Sequence, residues 1–196
     1  MTKSRDHRNE AAHKNGCSHE HGHTHACGHL HEHEKSADAL GTLKIDICII
    51  SDSRTPATDE TGKWLKENIV AADKVEPGEY ALIKNDAAAI KKVLDGFLKG
   101  GAHAIIMSGG TGLSSKDITI ETVSPLFEKT LSGFGEIFRL LSFEEIGARA
   151  IMSRAAAGVI ASKLVISLPG SKNAVRLAYD KIIKPQLHHL IYEATR

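Results

Sequence analysis

The chain predicts an α/β fold, an open and mostly parallel sheet with helices on both faces, preceded by a histidine-rich tail. Short apolar runs alternate with longer stretches of helical period from residue 43 onward. The run at 43–50 is mostly apolar, as a strand covered on both faces is. The size agrees: 196 residues, 41% of them apolar, suffice for one domain with a substantial core.

Residues 1–40 hold almost no large apolar side chain besides Leu30 and Leu40. They cannot bury enough surface to offset chain entropy, so disorder is expected there unless a ligand binds. The folded domain is expected over 41–196. Residues 43–50 read as the first strand and 51–58 as a loop. A helix over 60–71 turns Trp64, Leu65 and Ile69 inward, and 80–83 make a second strand. Ile90, Val93, Leu94, Phe97 and Leu98 repeat at helical spacing until Gly100 and Gly101 stop that helix. The third strand is 103–107. Helices are expected at 121–128, 135–146 and, shorter, 153–157. A strand at 164–168, a helix at 172–183 and a last helical segment at 185–194 complete the pattern.

In a sheet of this class ligands bind at the carboxyl ends of the strands. Three polar loops follow strands: Ser51 to Arg54, Ser108 to Gly112, and Pro169 to Ser171. The richest is Ser108-Gly109-Gly110-Thr111-Gly112, whose glycines leave backbone N–H groups open to a phosphate or carboxylate. It is neither a Walker loop, since Lys116 lies between Ser115 and Asp117, nor a dinucleotide fingerprint, which needs glycine where Ser115 stands. Asp117 follows closely enough to hold magnesium on the same phosphates, and it could also cap a helix starting at Ile118. Pro169-Gly170-Ser171 precedes a helix that Ser171 can cap, which makes a second anion site or simply a helix start.

Charge excludes several classes. Lys and Arg total 25 against 24 acidic residues, and aromatics are 5%, so neither a nucleic acid nor an anionic membrane is an expected partner. No run has the length of a membrane span, and no apolar signal core is present, so the cytoplasm is the expected location. The three cysteines give no disulfide framework, and Cys48 reads as a buried thiol.

These blocks together resemble the molybdopterin adenylyltransferase family, the MoaB/Mog-like proteins of molybdenum cofactor biosynthesis. The likeness rests on Ser108 to Gly112 with Lys116 and Asp117, Gly133 to Glu136 with Phe138 and Arg139, Ser153-Arg154, and Leu168 to Ser171. Ser51 to Arg54 and Asp59 to Gly62 extend it, and it covers roughly residues 43–190. The resemblance implies an enzyme that uses Mg-ATP to adenylylate molybdopterin and releases pyrophosphate. It implies a homotrimer or homohexamer and a partner of the molybdenum-insertion (MoeA) type. By residue, it implies Asp117 as magnesium ligand and catalytic group, with Asn85 and Asp86 beside it. Phosphates would lie on Ser108, Gly109, Gly110, Thr111, Gly112, Pro169, Gly170 and Ser171, and the pterin on Asp52, Ser53, Ser153 and Arg154. In one respect the chain departs from the pattern: Asn85 stands where the family has a magnesium-site aspartate, with Lys84 before it and Asp86 after. A neutral oxygen is a poorer partner for magnesium, which leaves a noncatalytic pterin-binding or scaffold homologue as the alternative.

The tail carries separate chemistry. Nine of the twelve histidines lie between His7 and His33. Cys17, His19, His21, His23, His25, Cys27, His29, His31 and His33 offer imidazoles and thiolates suited to zinc, nickel or copper. Their spacing is not that of a zinc finger, so several ligand sets in exchange are expected, and a metal-handling protein is the third reading.

Overall fold

Four isoleucines among the eight residues of β1 (Leu43–Ile50) favour a pleated strand buried on both faces, and every residue of it but Lys44 is buried. In the computed structural model, which describes residues 40–196, this strand lies inside a six-stranded sheet. The expected disorder and metal ligands of the tail lie outside the described residues.

The remaining elements follow in chain order. They are α1 (Glu60–Val70), β2 (Val75–Ile83), α2 (Ala87–Lys99), β3 (Ala104–Ser108), α3 (Thr119–Val123) and β4 (Lys129–Thr130). Then come α4 (Ser132–Ile146), β5 (Ala156–Ile160), β6 (Lys163–Leu168), α5 (Lys172–Ala178) and α6 (Lys184–Thr195). The spatial order is β2-β1-β3-β6-β5-β4. β2, β1, β3 and β6 run parallel, while β5 and β4 add an antiparallel margin.

Alternation along the strands divides the core in two. Ile45, Ile47, Ile49, Ile106 and Ile166 pack with Leu65 of α1, Phe138 of α4, Val175 of α5 and Ile191 of α6. On the other face Cys48, Ile50, Ile105, Met107 and Val165 meet Ile90, Leu94 and Phe97 of α2 and Val123 of α3. Helices therefore cover both faces, as the apolar runs require. Burial pushes the Cys48 thiol up to about 12, so it stays a neutral packing group. Trp64 meets Tyr179 edge to face at 5.8 Å, closing the inner side of α1.

Three expectations need correction. The helix expected at 153–157 is absent: a 3₁₀ turn, Gly147–Met152, leads into β5 instead. Alanines favour helix in isolation, but here Ala156 to Ile160 pair with Lys163 to Ser167 across a two-residue turn. Both turn residues, Ala161 and Ser162, have positive φ, and neither is the glycine or asparagine that usually marks such a hairpin. The helix expected at 121–128 is shorter and earlier, because Pro125 lies within a 3₁₀ turn, Ser124–Leu126, that ends it. β2 begins at Val75, five residues before the expected start, carried past Pro77 and Gly78 by a register shift against β1. Asp46, buried in β1, accepts the Glu79 N–H at 2.6 Å there, and burial raises its carboxyl above the usual range.

At the opposite end of the strands from the glycine loop, the Lys44 N–H donates to Nδ1 of His103 at 3.1 Å. Burial, then the charges of Lys163 and Lys44, hold the His103 imidazole below its ordinary value of 6.5. A base depressed by folding binds its proton more readily when unfolded. Its stabilisation is present above pH 6.5 and is lost as the pH falls below 6.5 towards the folded value. We expect His103→Asn, which keeps an acceptor for Lys44 but does not titrate, to flatten this acid limb. Urea midpoints of the two proteins between pH 8 and pH 5 check it; parallel curves would refute the assignment.

Candidate functional site

The sheet register brings the strand ends level: Ile49 lies beside Ser108, and Ser108 beside Leu168. The loops that follow β1, β3 and β6 therefore meet at one edge. They open on a cleft of about 660 Å³. Its other walls come from the end of α4, the Gly147–Met152 turn and the start of α5.

The glycine loop has its shape from close packing. Gly109 takes φ +115°, and a side chain there would strike the Ile50 carbonyl. Its N–H donates to Leu168 O at 3.0 Å, while the Thr119 hydroxyl donates to Gly109 O at 2.8 Å. The start of α3 thus holds the loop from below. Gly112 is open enough for the Asp117 carboxylate to lie against it; a methyl there would come within 2.7 Å of Oδ2.

Asp117 lines the cleft, and its Oδ2 accepts the Ser114 N–H at 3.0 Å. It does not cap a helix: α3 starts at Thr119 after Ile118, with no side-chain cap. What it caps is the tight turn from Ser114 to Asp117. No group of three or more His, Cys, Asp or Glu gathers among the described residues. Magnesium commonly takes one or two carboxylates, with waters and phosphates completing its shell. One cleft carboxylate beside a loop of open N–H groups fits such an ion.

Of the other expected residues, Ser53, Gly109, Gly110, Thr111, Gly112, Ser153, Pro169, Gly170 and Ser171 also line the cleft. Ser171 caps α5, accepting the Ala174 N–H at 3.3 Å. Five lie outside the cleft lining. Ser108 is buried and donates to Pro169 O at 3.0 Å, joining two of the loops. Asp52 accepts the Asn85 N–H at 3.0 Å, and Lys84 donates to the Asp52 carbonyl. Asp86 caps α2 through the Ala89 N–H at 2.8 Å. The Asn85 amide donates to Lys116 O, and its Oδ1 is buried against Gly110 without a hydrogen-bond partner. Arg154 donates to Gly112 O at 3.1 Å and pairs with Glu121, whose carboxyl it holds below the usual range.

Sequence reasoning named no role for Arg54, though it stands in a quoted block. Its guanidinium donates to Gly170 O at 2.8 Å and Thr61 Oγ1 at 3.1 Å, and reaches Asp59 at 3.5 Å. Asp59 accepts the Gly62 N–H through both oxygens and the Tyr80 hydroxyl at 2.6 Å. Burial, and then that carboxylate, raise the Tyr80 phenol well above its ordinary value. Sequence reasoning also passed over Glu145, Arg149 and Asn173, which line the cleft from α4, the following turn and α5. Helical period was the only signal at Glu145 and Asn173, and Arg149 fell between expected elements.

The family described as probable molybdopterin binding domain matches residues 46–189. Molybdenum cofactor biosynthesis protein B of Staphylococcus carnosus is 45% identical over 152 residues, 76% of this chain and 89% of that protein. The protein of the same name from Bacillus cereus is 43% identical over 168 residues, 84% of this chain and 97% of its own. A crystal structure of molybdenum cofactor biosynthesis protein B superposes with a TM-score of 0.75 at 42% identity, covering 80% of this chain and 98% of that one. The tungsten cofactor synthesizing protein MoaB from Pyrococcus furiosus gives 0.74 at 35% identity, covering 81% and 100%.

Proposed function

The chain belongs to the molybdopterin-binding family of molybdenum cofactor biosynthesis, and from that premise we propose that its cleft adenylylates molybdopterin with Mg-ATP. The supporting observation is the meeting, at one sheet edge, of the glycine loop, the Asp117 carboxylate and the Pro169 to Ser171 turn. The terminal phosphate of the pterin would attack the α-phosphorus of ATP, and pyrophosphate would leave. Such a reaction needs chiefly positioning and charge neutralisation. Backbone N–H groups of Gly110 to Gly112 would orient one phosphate and the Pro169 to Ser171 turn another. Asp117 would hold magnesium, which supplies neutralisation of the phosphate charge when bound.

Asn85 bears on the alternative, a homologue that binds pterin without turnover. Its amide braces the Ser114 to Asp117 turn through Lys116 O, so in this chain it would act by placing Asp117 rather than by binding metal. Aspartate at this position would set a charge against a carbonyl and lose the donor.

An apolar surface supports assembly. Leu140, Phe143 and Ile151 are 61%, 58% and 84% exposed, around a recess of about 400 Å³ with Ala148 and Ala150. Association of copies through this face into a homotrimer or homohexamer would cover it. The Cys17 to His33 segment would bind zinc, nickel or copper.

Purified protein with molybdopterin and Mg-ATP should yield adenylylated pterin and pyrophosphate together; tight binding without product would favour the binding homologue. Asp117→Asn keeps an acceptor for Ser114 N–H and should lower turnover by about a hundredfold or more, while Asn85→Asp should lower rather than raise it. Full activity in Asp117→Asn would remove this edge from the chemistry. Sedimentation should give a multimeric mass that Phe143→Asp reduces to the monomer's; an unchanged mass would exclude this face. The full chain should take up more zinc or copper than one lacking residues 1–36, and equal uptake would sink the tail reading.

A further inference from the structure

The charged side chains lining the cleft are Arg54, Asp117, Glu145 and Arg149. A phosphate-bearing ligand needs more than backbone dipoles here, because two of these four are carboxylates. Arg54 is not free to supply the charge. Its guanidinium is committed to Gly170 O, Thr61 and the buried Asp59, which neutralises it. Arg154, the guanidinium expected to meet substrate, is also committed, splinting Gly112 O to Glu121.

Arg149 differs from both. Among the described residues its guanidinium has no hydrogen-bond or ion-pair partner, and the residue is exposed within the cleft lining. The backbone that carries it is well anchored, since the neighbouring Ala150 is 3% exposed and its carbonyl accepts the Ser153 N–H at 2.9 Å. A planar fork with its donors unused on an anchored turn suits bidentate capture of phosphate oxygens. Its charge also offsets Glu145 on the same wall, which would otherwise repel an anion.

We propose that Arg149 receives a phosphate group of the bound substrates, setting the affinity of the cleft for the anionic end of its ligand. The assignment rests on the reading of this cleft as the site of molybdopterin adenylylation. The phosphate comes either from the pterin or from the polyphosphate of ATP, and the chemistry of capture is the same.

Calorimetric titration separates the sources. Full-length wild type, Arg149→Gln, Arg149→Lys and the remote charge control Lys91→Gln are titrated with molybdopterin, Mg-ATP, adenosine and pyrophosphate. Arg149→Gln should weaken a phosphorylated ligand by about ten- to a hundredfold, with adenosine unchanged. Arg149→Lys should recover part of the loss, and Lys91→Gln should match wild type. A loss for molybdopterin alone assigns the pterin phosphate, and a loss for Mg-ATP assigns the polyphosphate. If wild type binds both substrates and Arg149→Gln weakens neither, or weakens adenosine equally, the role of Arg149 is overturned while the function stands. If wild type binds neither substrate, the proposed function falls and pyrophosphate decides the rest. Pyrophosphate binding that is lost in Arg149→Gln upholds an anion site, and equal or absent binding removes it.

Discussion

Asp59 is 1% exposed, and a carboxylate that deep persists only when its oxygens are well paired. Its partners come from different parts of the chain: the Gly62 N–H in α1, the Tyr80 hydroxyl in β2, and Arg54 in the loop after β1. Arg54 passes the restraint on to Gly170 O, in the loop after β6. One buried charge therefore holds two of the three cleft loops to each other and to the helix and strand behind them. Removing one of these partners leaves the buried carboxylate underpaired, which is destabilising. The loss would fall on the walls of the cleft rather than on the hydrophobic core.

The third loop is held differently. The glycine loop is fixed by backbone packing against Ile50 and Leu168 and by the Thr119 hydroxyl beneath it. Arg154 braces its far end at Gly112. The Gly109 N–H is spent on Leu168 O, but the other restraints fall on carbonyls and the hydroxyl beneath, which leaves the N–H groups of Gly110 to Gly112 unused at the cleft lining. Guanidinium groups thus divide between two tasks. Arg54 and Arg154 hold main chain in place, and Arg149 offers its charge to the cleft.

At Asn85 the residue type decides which kind of restraint the turn receives. Aspartate and asparagine have nearly the same shape, but only the amide can donate to Lys116 O. The turn bearing Asp117 is then placed by a neutral hydrogen bond, where a carboxylate would need a cation or a proton beside it. Asp86, next in the chain, is occupied in capping α2 and lies outside the cleft lining.

The amino-acid sequence by itself determined the parallel sheet with two covered faces, the strand-end loops at one edge, and the family. Apolar runs, glycine clusters and capping residues are local signals, and β1, β3, β6, Ser108 to Gly112 and the Ser171 cap could be read from them. Tertiary structure decided what no local signal carried. Ala156 to Ile160 is a strand because β6 offers an edge to pair with, which overrides the helical preference of alanine. Among three arginines near the cleft, only the fold settles which are neutralised, since their partners lie up to 116 residues away along the chain. Exposure and charge pairing are properties of that three-dimensional neighbourhood, and they separate Arg149 from Arg54 and Arg154 where residue type alone makes them equal.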